Sequence, residues 1–520
     1  MKKRIMQAIR EMWYIPVFEH TMMKDFFKKI LTVYNILDVF ELNEHDTIAL
    51  YGRNSPNWIA IYIACILKGV RLLIIHPNQK RLEIAHITVI TNVNHIFIDN
   101  DLIFDDLGRN PFLLTLIEIS SLSVIYEKND KNYFKVLAEV LVSSEPVLNI
   151  DLRVLDTFDE EDEIDSSIIT ATSGVEHYTP KWVESTTGSI TDLITKAIGI
   201  VPYDTLDRIF TRIEFSESHF VTVLLPFVKG CTFVGNQSNA NVVIEGTNTI
   251  ENIWKENVSY LYSKPILSFL FSISWMRWLF KKVAVLKMKS FYGKRVEKIL
   301  IYNNVVNEDI LSILVGKLPI YATYGSQETN QLVAINDFSS DKKRESGATG
   351  RALPGLSFNT FDDQLEISGT TLFDRYVGDD DYTREVRFRE TYITGDIGVN
   401  DPVTNVLFVY GRKSAVHIND FKLPTQLDKL ERIIKSIPYV KEVVLFHTKE
   451  DNKLILLVYP DVKFVETKRL GLIHLKELMN VYLKKINITL GDPTKIDEVI
   501  VLTEPLRKTP DGKICRYYYS

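Results

Sequence analysis

A run of small hydroxyl residues followed by a lysine could hold a polyphosphate. Residues 170–174 read TATSG after a predicted strand, and Lys181 follows Pro180 a little further on. A loop of this composition exposes hydroxyls and backbone N–H groups to phosphate oxygens, and the lysine adds positive charge. Taken alone, such a loop is more often an ordinary turn, so it predicts a phosphate site only together with other motifs.

Three later segments could complete a nucleotide site. In residues 322–328 (ATYGSQE), Tyr324 could pack against a purine and Glu328 could hold Mg²⁺ beside phosphates. In residues 392–396 (YITGD), Asp396 is a natural acceptor for ribose hydroxyls, and Arg412 (VYGR, 409–412) is a partner for ribose or phosphate oxygens. In residues 507–513 (RKTPDGK), Lys513 could neutralise charge that develops when a carboxylate attacks an α-phosphate. Each segment alone also fits a turn or a basic tail.

The elements that must position these residues alternate between strand and helix. We predict strands at 47–51, 71–75 and 95–98, and helices at 58–67 and 80–91. This alternation favours a parallel sheet of the doubly wound type, and the apolar runs 221–225, 232–234 and 242–244 are expected to continue it. Strand-like segments around turns follow at 358–368, 386–392 and 407–410.

The pattern of predicted elements changes after Arg412. A helix (427–437), a strand pair (440–447 and 453–459), a second helix (474–485) and a strand (498–502) are predicted there. The sequence therefore predicts an α/β protein. Its large N-terminal domain, residues 1–411, combines mixed or parallel sheets, flanking helices and a β-rich subdomain. Residues 412–520 form a small α+β C-terminal domain.

Composition restricts the possible functions. The chain has 520 residues and a formal net charge of −6, which argues against nucleic-acid binding. Its three cysteines, Cys65, Cys231 and Cys515, have no metal-ligand spacing and fit a reducing cytoplasm. No signal-peptide pattern begins the sequence. The apolar run 265–280 is too short for a membrane span; a buried helix and an interfacial helix in peripheral membrane contact stay open.

Together, the order and spacing of the four motifs are similar to the adenylate-forming superfamily, which includes acyl-CoA synthetases, peptide-synthetase adenylation domains and luciferases. Residues 54–58 (NSPNW) with Gly69 resemble its N-x-P-x-W…G segment, 350–355 (GRALPG) its G-R-P-x-P-G turn, and 366–369 its G-E-L-x-x-x-G strand. NSPNW and the phrase 324–329 (YGSQET) look most similar to long-chain fatty acyl-CoA synthetases.

The resemblance implies one site for ATP, Mg²⁺ and a small-molecule carboxylic acid. The roles it implies are the phosphate loop for Thr172, Ser173, Gly174 and Lys181, the adenine and acyl pocket for Tyr324 and Gly325, a hydrogen bond to the α-phosphate for Gln327, Mg²⁺ for Glu328, the ribose for Asp396 with Arg412 nearby, and adenylation for Lys513. It also implies that the C-terminal domain swings about a hinge just after Arg412.

The sequence departs from the family pattern at several positions. The centre of the phosphate loop is replaced by residues 175–179 (VEHYT), which lack the second glycine and bring Glu176 towards the phosphates. Gln327 replaces a threonine, Ser414 stands at the hinge position, and Asp420 replaces a glycine expected to approach CoA. These changes bear on the use of ATP and on transfer to CoA.

Three functions follow from this resemblance. The first is an acid:CoA ligase, with a fatty acid as the expected acid and CoA as the thiol. The second is an adenylating enzyme that loads the phosphopantetheine thiol of an acyl carrier protein. The third is a catalytically impaired relative that acts as a binding or partner protein. The apolar stretches 210–227 and 261–271 fit either an acyl tunnel or ordinary core.

Overall fold

The fold is known from a computed structural model. It describes residues 1–127, 152–159, 166–172, 179–254, 256, 274–302, 308–340, 344, 348–418, 424–435, 437, 439–448, 453–467, 471–490, 495–508, 514 and 516–519. Among the predicted site residues, Ser173, Gly174 and Lys513 lie outside these ranges, as do Asp420 and the altered loop residues 175–178.

Helices flank two large sheets. The α-helices are α1 Lys2–Glu11, α2 Met23–Val39, α3 Pro56–Lys68, α4 Arg81–Ile90, α5 Asp156–Asp159, α6 Thr187–Ala197, α7 Leu225–Lys229, α8 Thr247–Trp254, α9 Ser274–Tyr292, α10 Glu308–Leu314, α11 Asp380–Val386, α12 Leu427–Lys435, α13 Val462–Thr467 and α14 Leu472–Leu490.

Strands are more numerous than helices in the described chain. They are β1 Pro16–Phe18, β2 Thr21–Met22, β3 Thr47–Tyr51, β4 Arg71–Ile75, β5 Val93–Ile98, β6 Thr115–Glu118, β7 Val124–Glu127, β8 Ser167–Ala171, β9 Trp182–Thr186, β10 Arg208–Thr211, β11 Thr232–Phe233, β12 Val242–Gly246, β13 Lys298–Tyr302, β14 Ile320–Tyr324, β15 Ala334–Asp337, β16 Gly350–Ala352, β17 Ser357–Phe361, β18 Gln364–Ser368, β19 Arg375–Tyr376, β20 Arg387–Phe388, β21 Thr391–Asp401, β22 Val406–Arg412, β23 Val416–Ile418, β24 Pro424–Gln426, β25 Val440–His447, β26 Leu454–Pro460 and β27 Glu498–Val501.

The two large sheets enclose the main core. One has the order β19-β9-β8-β4-β3-β5-β6-β7, and its β8-β4-β3-β5-β6 segment is parallel. The other runs β17-β18-β21-β22-β16-β15-β14-β13-β12-β10-β11-β1-β2, and β14-β13-β12-β10 is parallel. Helices α1, α2 and α3 contribute to the buried cluster that includes side chains from both sheets. The predicted α/β class with mixed and parallel sheets is confirmed.

Helix α3 shows why the sequence patterns work in this part of the chain. The Ser55 side chain accepts a hydrogen bond from the Trp58 N–H, Pro56 occupies the first turn, and Gly69 ends the helix at φ +80°. These are ordinary start and stop signals of a helix. Residues 58–67 are all buried because the helix lies in the central core.

One expected strand is wrong. Residues 221–225 belong to a π-helical turn, Phe220–Leu224, that leads into α7. A short, continuous apolar run does not distinguish a buried strand from a buried helix. Here the Gln331 side chain accepts the Phe220 N–H at 2.9 Å, and the residues of the turn are fully buried.

The C-terminal part has its own sheet, β25-β26-β27, and its own buried cluster with α12 and α14. The elements predicted there are observed with bounds within a few residues. Residues 350–412 contribute antiparallel strands β16 to β22, most of which extend the larger main sheet rather than forming one of their own. The boundary at residue 412 and the swing of the C-terminal part stay predictions.

The structure describes only part of the apolar stretches for which a tunnel, a core or a membrane contact was considered. Residues 215–227 are largely buried, which fits core packing, while 261–271 lie outside the described residues. Helix α9 covers the end of the run 265–280 and exposes Leu279 and Leu286. No helix in the described ranges is long and apolar enough to cross a membrane. The interfacial alternative stays a prediction.

A buried glutamate in the eight-stranded sheet joins four strands. Glu184 on β9 accepts hydrogen bonds from Arg71 Nε (2.6 Å) and Nη2 (2.7 Å), from Ser167 Oγ (2.6 Å) and from Arg375 Nε (2.9 Å). Burial raises the pKa of this carboxyl, but the Arg71, Ser167 and Arg375 contacts outweigh burial and hold the pKa below its usual value. The carboxylate thus fixes β4, β8 and β19 around β9, the strand that follows Lys181.

A second buried glutamate, in the other sheet, has a raised pKa. Glu245 on β12 is fully buried, accepts a hydrogen bond from Tyr292 Oη, and lies 3.5 Å from Arg212 Nε. Its Oε2 atom has no hydrogen-bond partner among the described residues. Burial raises the pKa of Glu245 to about 7, since one arginine and one hydroxyl compensate only part of the desolvation.

We predict that Glu184→Gln lowers the free energy of unfolding by about 1–3 kcal/mol at pH 7, because two arginines lose their charged partner. The folded-state pKa of Glu184 is depressed, so its contribution exists above the unfolded-state pKa of about 4.3 and is lost as pH falls through the folded-state pKa. Urea unfolding should show a smaller difference in the free energy of unfolding between variant and wild type at pH 4 than at pH 7. An effect equal to that of exposed Glu385→Gln would contradict this.

Replacing Glu245 by glutamine should stabilise the protein, in contrast to the same replacement at Glu184. The folded-state pKa of about 7 exceeds the unfolded-state value, so wild type loses stability as pH rises from about 4.3 through 7. We predict that Glu245→Gln raises the free energy of unfolding by about 1–3 kcal/mol at pH 8 and changes it little at pH 4. Urea unfolding across this range measures the effect; destabilisation at pH 8 would refute it.

Candidate active site

Three predicted residues meet where β14, β21 and β22 lie close together. Tyr324 is the last residue of β14, and its hydroxyl donates a hydrogen bond to Asp396 Oδ2. Asp396 and Arg412 are directly opposite in the β21–β22 pair, with Arg412 Nε 3.3 Å from Asp396 Oδ1. Arg412 also donates to the Thr394 carbonyl at 2.6 Å. Burial, followed by the Asp396 carboxylate, raises the pKa of Tyr324, so its phenol stays a donor.

The turn after Tyr324 needs a glycine for lack of space. A Cβ at Gly325 would lie 2.4 Å from the Gln331 carbonyl carbon and 2.6 Å from the Leu332 nitrogen, which are backbone atoms. Asn330 and Gln331 have φ of +51° and +76°, so the chain folds back tightly over Gly325.

Glu328 is buried and oriented by a tyrosine. Its Oε1 accepts a hydrogen bond from Tyr376 Oη at 2.9 Å, and its backbone carbonyl accepts the Phe373 N–H at 2.9 Å. Burial and the nearby Glu328 charge raise the pKa of Tyr376, which therefore stays protonated and donates. Among the described residues, no group of three or more acidic, histidine or cysteine side chains could hold a metal ion.

Lys181 lies close to the same tyrosine. Its Nζ is 5.5 Å from the centre of the Tyr376 ring, 3.7 Å from that of Tyr382, and 2.7 Å from Asp379 Oδ2. The backbone of Lys181 is fixed by Thr172, whose N–H donates to the Lys181 carbonyl at 2.8 Å and whose Oγ1 accepts the Lys181 N–H at 2.9 Å. The predicted phosphate-loop lysine and the predicted magnesium ligand thus contact opposite parts of Tyr376.

Tyr392 connects this pair to the Asp396 group. The charges of Glu328, Arg412 and Asp396 all act on its phenol. Burial is the largest cause that raises the pKa of its phenol. Residues predicted from segments more than 200 positions apart therefore surround two tyrosines.

Gln327 is held by protein groups. Its Oε1 accepts from Thr170 Oγ1 (3.0 Å) and Gln331 Nε2 (2.9 Å), and its Nε2 donates to the Glu217 carbonyl at 3.0 Å. One of the two N–H groups of this amide is thus bonded to a backbone carbonyl, and the hydrogen bond from Gln327 to the α-phosphate stays a prediction.

A buried histidine lies in the core beside Tyr62. His219 is buried, its Nδ1 is 2.9 Å from Tyr62 Oη, and burial lowers its pKa to about 3. The imidazole is therefore neutral and packs between Tyr62 and the π-helical turn.

Sequence reasoning missed Tyr376, Asp379, Tyr382 and Tyr392 as site residues. Tyr376, Asp379 and Tyr382 lie between the segments 366–369 and 392–396, and no spacing rule distinguishes them from ordinary loop residues. Tyr392 was inside a quoted motif, but only its aspartate was given a role. A cross-strand pairing of β19 with β9, which the sequence does not reveal, brings Tyr376 opposite Val183.

Solved structures with the same fold are adenylate-forming ligases. ATP-bound MatB from Rhodopseudomonas palustris is 14% identical, with a TM-score of 0.70 over 100% of this chain and 98% of that one. O-succinylbenzoate coenzyme A synthetase (MenE) from Bacillus subtilis with ATP and magnesium is 14% identical (TM-score 0.68, 99% and 98% covered). The anthranilate CoA ligase AuaEII with anthranoyl-AMP is 12% identical (0.68, 99% and 96%). The fold is that of the adenylate-forming class.

The sequence itself gives the family. The family profile described as AMP-binding enzyme matches residues 24–370, more than half of the chain, and the chain belongs to this family. The resemblance to this family drawn from the motifs is confirmed, and so is the expectation of an enzyme. A search of curated proteins gives no significant match.

We predict that Gly325→Ala lowers the free energy of unfolding by about 2–4 kcal/mol, since the new methyl group displaces the backbone of Gln331 and Leu332. Gly199→Ala is the matched control: a Cβ there meets nothing within 4 Å, and a change within about 0.5 kcal/mol is expected. Urea unfolding of both variants measures the difference. Equal stabilities would show that the turn relaxes without cost.

Proposed function

We propose that the chain activates a carboxylic acid, with a fatty acid as the expected substrate, through an acyl-adenylate and transfers the acyl group to CoA. The observation that carries this proposal is the contact of Tyr376 with both Lys181 and Glu328, which brings together the predicted phosphate-loop lysine and the predicted magnesium ligand. Asp396 and Arg412, which form an ion pair at 3.3 Å, are the residues expected to bind the ribose.

The first step joins the acid to the nucleotide. A carboxylate oxygen of the acid attacks the α-phosphorus of ATP, the bond from this phosphorus to the bridging oxygen breaks, and pyrophosphate leaves with the electron pair. Lys181, with Thr172, Ser173 and Gly174, would bind the phosphates, and Lys513 would offset the charge that develops on the α-phosphate. Asp396 and Arg412 would orient the ribose, and Tyr324 and Gly325 would border the adenine.

Magnesium fits the donor set at Glu328. Mg²⁺ is usually held by one or two carboxylates together with substrate phosphates, not by a cage of protein ligands. Glu328 has one oxygen bonded to Tyr376 and is already oriented. A bound Mg²⁺ would neutralise phosphate charge there.

In the second step a thiol replaces AMP. The sulfur attacks the acyl carbonyl carbon, the bond to the AMP oxygen breaks, AMP leaves with the electron pair, and the thiol proton passes to solvent. The chain need not provide a covalent nucleophile. The buried Cys65 and Cys231, whose pKa values are raised chiefly by burial, are unsuited to that role. Motion of residues 412–520 about a hinge after Arg412 would exchange Lys513 for the thiol.

The substrate test is a panel of acids assayed for pyrophosphate release with Mg·ATP and CoA. Medium- and long-chain fatty acids should be active, and aromatic acids of the kind named for MenE and AuaEII should be poor substrates. AMP formation that requires a carrier protein instead of CoA would move the assignment to the carrier-loading alternative. Absence of acid-dependent exchange of pyrophosphate into ATP would refute catalysis.

We predict that Lys513→Ala slows acid-dependent exchange of pyrophosphate into ATP by at least about 100-fold, because the charge near the α-phosphate is lost. Thiolysis of a supplied acyl-adenylate should continue at a rate near that of wild type. Lys495→Ala, which removes an exposed lysine in the same part of the chain, is the control for both assays. Normal exchange in Lys513→Ala would refute the role of this lysine.

Removal of the predicted magnesium ligand should change the metal dependence. We predict that Glu328→Ala raises the Mg²⁺ concentration for half-maximal exchange by about 10-fold or more, since the oriented carboxylate is gone. Exposed Glu385→Ala serves as the control. An unchanged Mg²⁺ titration in Glu328→Ala would mean that this glutamate only supports Tyr376.

A further inference from the structure

We propose that Asp379 competes with the triphosphate of ATP for Lys181, and so sets how tightly this chain binds ATP relative to AMP. The inference rests on the function proposed above, because it takes Lys181 as a ligand of the outer phosphates. It assigns a role to a residue outside every quoted motif. Asp379 acts through the lysine, so it is a positioning residue.

The contact is close and partly shielded from water. Lys181 Nζ lies 2.7 Å from Asp379 Oδ2, and the lysine side chain is only 16% exposed. The face of the Tyr382 ring covers the ammonium at 3.7 Å, a cation–π contact that adds to the ion pair. An ammonium in this environment has exchanged part of its hydration for protein contacts.

Asp379 is held in place independently of the lysine. Its Oδ1 accepts the Tyr382 N–H at 3.2 Å, and its carbonyl accepts the N–H (3.0 Å) and Oγ1 (2.8 Å) of Thr383. The Tyr376 N–H in turn donates to Thr383 Oγ1 at 3.0 Å. The carboxylate therefore belongs to the same folded segment that carries Tyr376.

The lysine, in contrast, can leave. Its four-carbon stem is flexible, and its ammonium is a point charge without fixed direction. A triphosphate beside Glu328 would attract this charge, and binding then requires that the Asp379 pair be broken. The free energy needed to break the pair therefore weakens the binding of ATP, which has the outer phosphates, and does not affect AMP, which lacks them.

The competition should be modest in size. Asp379 is 42% exposed, and exposed or partly exposed ion pairs contribute little to stability. Removing the competing charge should therefore tighten ATP binding by about 3- to 10-fold.

The test measures dissociation constants of Mg·ATP and AMP by calorimetry. Asp379→Asn keeps an oxygen for the Tyr382 N–H but removes the charge; the constant for ATP should fall by about 3- to 10-fold and that for AMP should change by less than about 2-fold. Asp381→Asn is the matched control, since this exposed aspartate pairs with Arg384 and loses the same charge. Asp379→Ser, whose hydroxyl can accept the same N–H, replaces Asp379→Asn if that variant does not fold.

A second comparison ties the effect to the lysine. In a Lys181→Met background, Asp379→Asn should no longer change ATP affinity. Unchanged or weaker ATP binding in Asp379→Asn, equal changes for AMP, or the same gain in Asp381→Asn would overturn the competition while leaving the proposed function intact. Failure of wild type to bind either nucleotide would instead overturn the proposed function, and this inference with it.

Discussion

The hydrogen bond from Tyr376 to Glu328 is the contact on which the candidate site depends. It fixes the buried carboxylate of Glu328, in the 3₁₀ turn that follows β14 of one sheet, by a hydroxyl from the two-residue strand β19 of the other. The ring of the same tyrosine lies beside the ammonium of Lys181. Burial raises the pKa of the Tyr376 phenol, so the tyrosine keeps its proton and is the donor in this contact. The two large sheets are thus linked at the place where a nucleotide is proposed to bind.

Much of the fold follows from local sequence signals. Helix α3 has a serine cap, an early proline and a terminal glycine, and strands β3 and β4 are compact apolar runs, so their bounds could be predicted almost to the residue. The run 221–225 could not, because its conformation depends on the side chain of Gln331, more than a hundred positions away, that accepts a backbone N–H of the turn. Signals within a short window do not contain such contacts.

The residues of the candidate site also divide into those that the sequence predicts and those that depend on distant contacts. Lys181, Glu328, Asp396 and Arg412 belong to motifs with characteristic residue types, so the sequence could place them together before any geometry was known. Tyr376 and Asp379 have no such pattern, since their proximity to Lys181 comes from strand pairing across nearly 200 positions. The structure also shows the contacts made where the sequence departs from the family pattern. Gln327 is bonded to three protein groups, and Lys181, which follows the altered loop, has an acidic partner.

The pairing of β19 with β9 has one more consequence. Arg375 lies opposite Glu184 and Tyr376 opposite Val183, so the two successive side chains of this short strand make different contacts. Arg375 donates to the buried Glu184, and Tyr376 donates to Glu328. Alternation along a strand means that a slip by a single residue would exchange their directions. The segment from 374 to 379 should therefore tolerate hardly any insertion or deletion.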